Sequence, residues 1–142
     1  MIYLIVPNPI WKLVNLKEIS DPRGKLTVVE SLKDVPFEIK RIYYIYGVSQ
    51  GTSRGLHAHK TLSQVVMAVS GGFKIKLDDA KNTEIFLMNK SNIGLFIPPG
   101  IWLEMFDFSV DAVCLVLASD FYLESDYIKD YDEFLRCKAV VK

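Results

Sequence analysis

The sequence predicts a single all-β domain, a sandwich or barrel closed by a short C-terminal helix, and three observations lead there. Short runs of alternating apolar residues recur at close spacing, separated by Gly, Pro, Asn and Asp, as in sheet proteins with tight turns. Hydrophobic residues make up 50% of the chain and include 8 Phe, 7 Tyr and 2 Trp, which favours a β-rich interior over a helical bundle. Near the end, Tyr127, Ile128, Tyr131, Phe134 and Leu135 recur at offsets of three and four between Ser125 and Arg136, one face of a short helix. With 142 residues and no repeat, linker or low-complexity stretch, the chain is expected to form one domain over residues 1–142.

In chain order, Ile2 to Val6 is apolar enough for a strand or an arm that pairs elsewhere. Asp21-Pro22-Arg23-Gly24 is turn chemistry, with Pro presetting φ and Gly free to adopt a positive one, and it leads into a strand over Lys25 to Glu30. Ile39 to Val48 (IKRIYYIYGV) is the strongest strand signal. Its alternation sets Arg41, Tyr43 and Ile45 on one face against Ile42, Tyr44 and Tyr46 on the other. A strand over Thr61 to Ser70 meets Gly71-Gly72 and resumes at Phe73 to Leu77, a pattern that predicts a hairpin with Phe73, Ile75 and Leu77 inward and Lys74 and Lys76 outward. Further strands are expected at Glu84 to Met88, Gly94 to Ile97, Trp102 to Phe108, and Ala112 to Ala118, the last apolar on both faces.

Composition excludes several function classes. The 17 basic and 17 acidic residues cancel, so no global field draws in nucleic acid or an anionic membrane. No apolar run is long enough to span a bilayer, and the N-terminal MIYLIVPNPIW lacks leading basic residues and is broken by two prolines, unlike a signal peptide. Cys114 and Cys137 have neither disulfide-scaffold nor zinc spacing, which fits a reducing cytoplasm, with Cys114 a core residue of AVCLVLA.

Both histidines fall in GTSRGLHAHKTLSQVVMAVSG, residues 51–71, as His57 and His59. In an extended segment the two imidazoles share a face. The spacing resembles the first motif of the cupin superfamily, a jelly-roll barrel of the double-stranded β-helix type. There, a Gly is followed by His-x-His, an acid and a second Gly. Gly51, His57, His59, Gln64 and Gly71 take those positions, with Gln64 in place of the acid. Pro98-Pro99-Gly100 resembles the start of the second motif, but Leu103 stands where a metal-binding His is found. Two imidazoles, an amide and a Leu fall short of the three or four ligands of a catalytic metal site, so the site is expected to hold no metal. That leaves proton transfer, since an imidazole titrates near neutrality; the bland alternative is two half-buried strand histidines with no task.

Together with DPRG at 21–24 and the tail LASDFYLESDYIKDYDEFL at 117–135, the segments IKRIYYIYGV, RGLHAHKTLSQVVMAVSG and FIPPGIWLEMFDFS make the chain similar to the sugar 3,4-ketoisomerases of the cupin superfamily over nearly its whole length. Leu103 departs from the family's pattern, which has a His directly after the Trp. The resemblance implies movement of a ketone from C4 to C3 of dTDP-4-keto-6-deoxyglucose, without redox cofactor or metal, in deoxysugar biosynthesis for a lipopolysaccharide or S-layer glycan.

It further implies His57 and His59 as the catalytic pair, His57 the principal base. Tyr43 and Arg41, on one strand face, hold the enediolate oxygens, and Gln64 supplies an uncharged hydrogen bond. Arg54 and Arg23, and more weakly Lys60, are candidates for the diphosphate, each with a solvated surface charge as its alternative. Trp102 is a candidate for stacking on thymine, with core packing as its alternative. A homodimer with exchanged N-terminal strands is implied as well. Three competing functions stay open: a 3,5-epimerase of the same superfamily, a non-catalytic sugar-nucleotide-binding cupin, and a metal-dependent cupin dioxygenase, the last disfavoured by Gln64 and Leu103.

Overall fold

The computed structural model describes residues 11–140, and the Ile2 to Val6 arm lies outside them. The chain runs through β1 (Lys12–Asn15), β2 (Lys17–Asp21), β3 (Gly24–Val28), β4 (Arg41–Tyr46), β5 (Arg54–His59) and β6 (Gln64–Ser70). It continues with β7 (Phe73–Asp78), β8 (Thr83–Met88), β9 (Ile93–Ile97), β10 (Trp102–Phe106) and β11 (Val113–Ala118). A 3₁₀ turn at Glu124–Asp126 leads to the two-residue β12 (Tyr127–Ile128) and then α1 (Tyr131–Val140). One five-stranded antiparallel sheet has the order β1-β9-β6-β11-β4, the other β12-β5-β10-β7-β8, and among the described residues β2 and β3 pair only with each other.

The two sheets close on one core as a jelly roll. Val66, Ala68, Leu95, Ile97, Cys114 and Val116 from the first sheet meet Phe73, Ile75, Leu77, Leu103 and Met105 from the second. Phe73, Ile75 and Leu77 are fully buried, and Lys74 and Lys76 face out as their alternation requires. Along β4, Arg41, Tyr43 and Ile45 point inward, while Ile42, Tyr44 and Tyr46 are exposed on the outer side of an edge strand. The first sheet's outer face is covered by Leu16, Val35 and Phe37, packed with Val65, Met67 and Leu117.

Two expectations are corrected. Gly71-Gly72 is not a hairpin, because β6 pairs with β9 and β11 whereas β7 pairs with β8 and β10, so the glycines carry the chain from one sheet to the other. Gly71 serves close approach. With φ +60, a Cβ there would stand 2.4 Å from Ser109 Oγ and 2.8 Å from Ala112 Cα. The helix also starts later than its periodicity indicates. Tyr127 and Ile128 are a strand paired with His59 and Ala58, and only residues 131–140 are helical, docked through Phe134 onto Trp102 and Ile128.

Candidate active site

A cavity of about 360 Å³ opens between the sheets. Its inner wall is apolar, formed by Ile45, Val66, Leu103, Met105 and Val116; its polar groups are Tyr43, Arg54, His57, Gln64 and Tyr127.

One irregularity in β5 assembles the polar side. Residues 54 and 57 would face opposite ways on a regular strand. Arg54 is paired with Met105 and Gly55 with Glu104, but His57 with Leu103, so Leu56 is an extra residue in β5. Gly55 at φ +84 and Leu56 at φ 59 take up the bend. Arg54 and His57 therefore stand beside the inward-facing Met105 and Leu103, and both line the cavity.

The His57 and His59 rings meet edge to face with centroids 4.9 Å apart, and Tyr127 packs on both, at 4.9 Å and 4.4 Å. His57 lines the cavity; His59 stands behind it, 3% exposed. His57 Nδ1 lies 3.0 Å from the Gly55 carbonyl. A carbonyl only accepts, so Nδ1 carries the proton and Nε2 the lone pair. Burial, helped by the neighbouring His59, lowers the His57 pKa to about 4, which keeps the ring neutral near pH 7. His59 is also lowered, by burial first, against the opposing pull of Asp126.

Tyr43 reaches the cavity from the facing sheet, and its hydroxyl donates to Gln64 Oε1 across 3.4 Å. Burial, then the neighbouring Tyr127 and Cys114, push the phenol well above its usual range, so it stays protonated as a donor. Arg41 lies over the Tyr43 ring at 5.2 Å and over Tyr122 at 5.6 Å. Two buried polar atoms here have no protein partner among the described residues: Arg41 Nε, a donor, and His59 Nε2. Among the described residues, no three His, Cys, Asp or Glu side chains converge on a point that could hold a metal ion.

Of the residues singled out from sequence, the fold brings His57, Tyr43, Gln64 and Arg54 to the cavity, with His59 and Arg41 in contact with that group. The other three are elsewhere. Trp102 is buried beneath α1, 5.2 Å from the Tyr131 ring and 5.8 Å from Phe134, because it alternates with the inward Leu103 and must face out. Its stacking role is replaced by helix packing. Arg23, its side chain 90% exposed at the β2–β3 tip, pairs with Asp21 at 2.7 Å. Lys60 is exposed just past β5 and does not line the cavity.

Sequence reasoning missed Asp126, Thr61 and Tyr127. Asp126 Oδ2 lies 3.1 Å from His59 Nδ1, and its Oδ1 accepts from the Thr61 N–H and hydroxyl, each at 2.8 Å. The two partners are 67 residues apart, a separation no local motif signals.

A jelly-roll barrel whose His-x-His strand borders a cavity between its two sheets defines a cupin. Residues 10–139 match the family described as FdtA: WxcM-like, C-terminal, and the chain belongs to that family, the sugar 3,4-ketoisomerases. It is 45% identical over 130 residues to the TDP-4-oxo-6-deoxy-alpha-D-glucose-3,4-oxoisomerase of Aneurinibacillus thermoaerophilus, covering 92% of this chain and 94% of the relative. A 3,4-ketoisomerase from Helicobacter canadensis superposes with a TM-score of 0.89 at 50% identity, over 91% of this chain and 97% of the other. The 3,4-ketoisomerase QdtA of Thermoanaerobacterium thermosaccharolyticum, a histidine-to-asparagine variant in complex with TDP-4-keto-6-deoxyglucose, gives 0.91 at 40% identity, over 94% and 97%.

Proposed function

We propose that this protein moves the ketone of dTDP-4-keto-6-deoxyglucose from C4 to C3, as a cytoplasmic step in deoxysugar biosynthesis. The observation that carries the reading is His57: neutral, its Nδ1 tied to the Gly55 carbonyl and its Nε2 lone pair free, on a wall that faces the Tyr43 hydroxyl. The C4 carbonyl acidifies the hydrogen on C3. His57 takes that proton, the C–H electrons form a C3–C4 double bond, and the charge moves to O4. Tyr43 and Arg41 stabilise that oxygen as donors, which is the usual way an enolate is carried without a metal. Protonation of O4 gives the enediol; protonation at C4 with loss of the O3 proton then leaves a ketone at C3 and a hydroxyl at C4, with no net change in atoms or charge. Arg54 binds the diphosphate, and Lys129, 5.7 Å over the Tyr127 ring, adds a second positive charge nearby.

The substrate named for the relatives supports this choice, as does an inner cavity wall that is apolar where a 6-deoxy sugar carries a methyl group. The test is incubation with dTDP-4-keto-6-deoxyglucose in deuterated water, followed by NMR. A C3 ketone with deuterium at C4 is expected, at a rate chelators do not lower. A retained C4 ketone labelled at C3 and C5 replaces the reading with 3,5-epimerisation. Binding without turnover replaces it with a sugar-nucleotide-binding role.

The same reading includes a homodimer with exchanged N-terminal strands. The β2–β3 ribbon supports it, since Ile19 and Leu26 pair on one face and are 47% and 54% exposed within a single chain. An isolated two-stranded ribbon is marginal in water unless its apolar face is covered.

A further inference from the structure

Asp126 is a buried carboxylate, 7% exposed, that among the described residues pairs with no Lys or Arg. Its acceptor capacity goes instead to Thr61 and His59. Burial pushes its pKa up, but the two bonds from Thr61 and the one from His59 more than offset this, so the group is ionised at neutral pH. An ionised carboxylate only accepts. His59 must therefore donate from Nδ1, and its Nε2, buried and without a partner among the described residues, carries the lone pair. The charged and titratable groups facing His59 come from four elements: His57 on β5, Arg41 on β4, Tyr127 on β12 and Asp126 in the 3₁₀ turn.

We propose that Asp126 is a positioning residue for the proton transfer: through Nδ1 it fixes the His59 tautomer and ring orientation, so that Nε2 stays an acceptor in the ring that meets the cavity-lining His57 edge to face. This rests on the ketoisomerase reading. Thr61 makes the arrangement directional. Its N–H and hydroxyl both donate to Oδ1, which commits that oxygen and turns Oδ2 toward the histidine. The short β12 pairing of Tyr127 with His59 holds the turn in register, so carboxylate and imidazole are placed by the backbone as well as by their own bond.

The geometry makes Asp126→Asn a test with a defined chemical consequence. The two Thr61 donors select the amide oxygen, the amide NH₂ then faces His59 Nδ1, and Nδ1 must accept. The tautomer inverts and Nε2 becomes a donor, with shape and volume unchanged. The same exchange in a Ser-His-Asp triad leaves geometry intact and lowers kcat by about 10⁴ through the wrong tautomer.

For Asp126→Asn we expect kcat to fall on the order of 10²-fold to 10⁴-fold, dTDP affinity to stay within about 3-fold, and ¹⁵N NMR to move the His59 proton from Nδ1 to Nε2. In Asp126→Ala, added formate should restore part of the lost rate, which also covers the case of a poorly folded Asn variant. A rate within about 3-fold of wild type, or a lost rate with the proton still on Nδ1 and no formate rescue, overturns the proposal. A wild-type protein that moves no ketone instead removes the ketoisomerase reading, and the NMR result still reports whether Asp126 sets the tautomer.

Discussion

His57 Nδ1 is turned to the carbonyl of Gly55, 3.0 Å away and two residues back on the same strand, so the backbone bend that brings this imidazole to the cavity also sets its tautomer. His59 reaches the same tautomer through a side chain 67 residues distant. The two rings touch but are not equivalent: one faces the cavity, and the other backs it.

Replacing His57 by Asn should therefore lower kcat by about 10³-fold, near the middle of what a positioned general base contributes, and leave the Kd for dTDP within about 3-fold. Stopped assays on the 4-keto sugar and calorimetric titration with dTDP measure the two separately. Turnover that survives the change would reassign the base.

Tyr43→Phe removes only a hydroxyl. With the phenol held protonated by burial, its loss takes a donor from the developing enolate, so kcat should fall about 10²-fold with KM little changed. A rise in KM at constant kcat would instead make Tyr43 a ground-state binding group.

The pH dependence follows from the sign of the histidine shifts. His57 has a folded pKa of about 4 against an ordinary 6.5, and His59 is lowered too, so the unfolded chain binds more protons through this window. Stability is complete above pH 6.5 and falls as the pH drops toward 4; Asp126, also lowered, adds its loss below its ordinary 3.8. For His57 alone the shift corresponds to roughly 3 kcal/mol. Urea midpoints at pH 7 and pH 5 should differ less in His57→Asn than in wild type. In the free enzyme kcat/KM should stay flat from pH 8 to about 5, with no limb at 6.5. A limb at 6.5 would mean that the working imidazole is solvated.

Much of this site is written in local pattern. Period 2 along β4 separates Arg41, Tyr43 and Ile45 from Ile42, Tyr44 and Tyr46, because each strand residue alternates faces whatever the sheet does. His57 and His59 pair for the same reason. The same rule applied to β10 already separated Trp102 from Leu103, but which of the two faces the cavity depends on where α1 docks. Gly71-Gly72 carries hairpin chemistry, yet the jelly roll uses it to change sheets, since the strands flanking it find better partners elsewhere. Asp126 was hidden by distance, and Tyr127 by a helical periodicity that a two-residue strand shares by accident.

Gly55 is a point where fold and chemistry meet. A Cβ there would lie 2.7 Å from Leu103 Cδ1 and 3.1 Å from the Leu103 carbonyl oxygen, at a φ of +84 that L-residues rarely adopt. Gly55→Ala should cost about 1–3 kcal/mol in urea unfolding and also lower kcat, because relief of the clash moves the carbonyl that holds His57 Nδ1. Loss of stability at full kcat would separate the bend from catalysis.

The β2–β3 ribbon supplies the test of assembly. Ile19 and Leu26 lie opposite each other, with Val28 on the same face, and β2 is exposed along its whole length. Ribbon stability must come from outside these two strands, because two strands with one bare apolar face do not recover the entropy of ordering them. If a second copy covers that face, Ile19→Asp places a charge in the contact and should convert a dimer to a monomer in light scattering at micromolar concentration, without unfolding the barrel, to whose main core Ile19 does not belong. The exposed Arg23 at the ribbon tip is then the residue to follow. If the ribbon crosses to a neighbouring cavity, Arg23→Ala should weaken dTDP binding in the wild-type dimer and have no effect in the Ile19→Asp monomer. A wild-type protein that scatters as a monomer would leave the ribbon's apolar face without its partner and end the exchanged-strand reading.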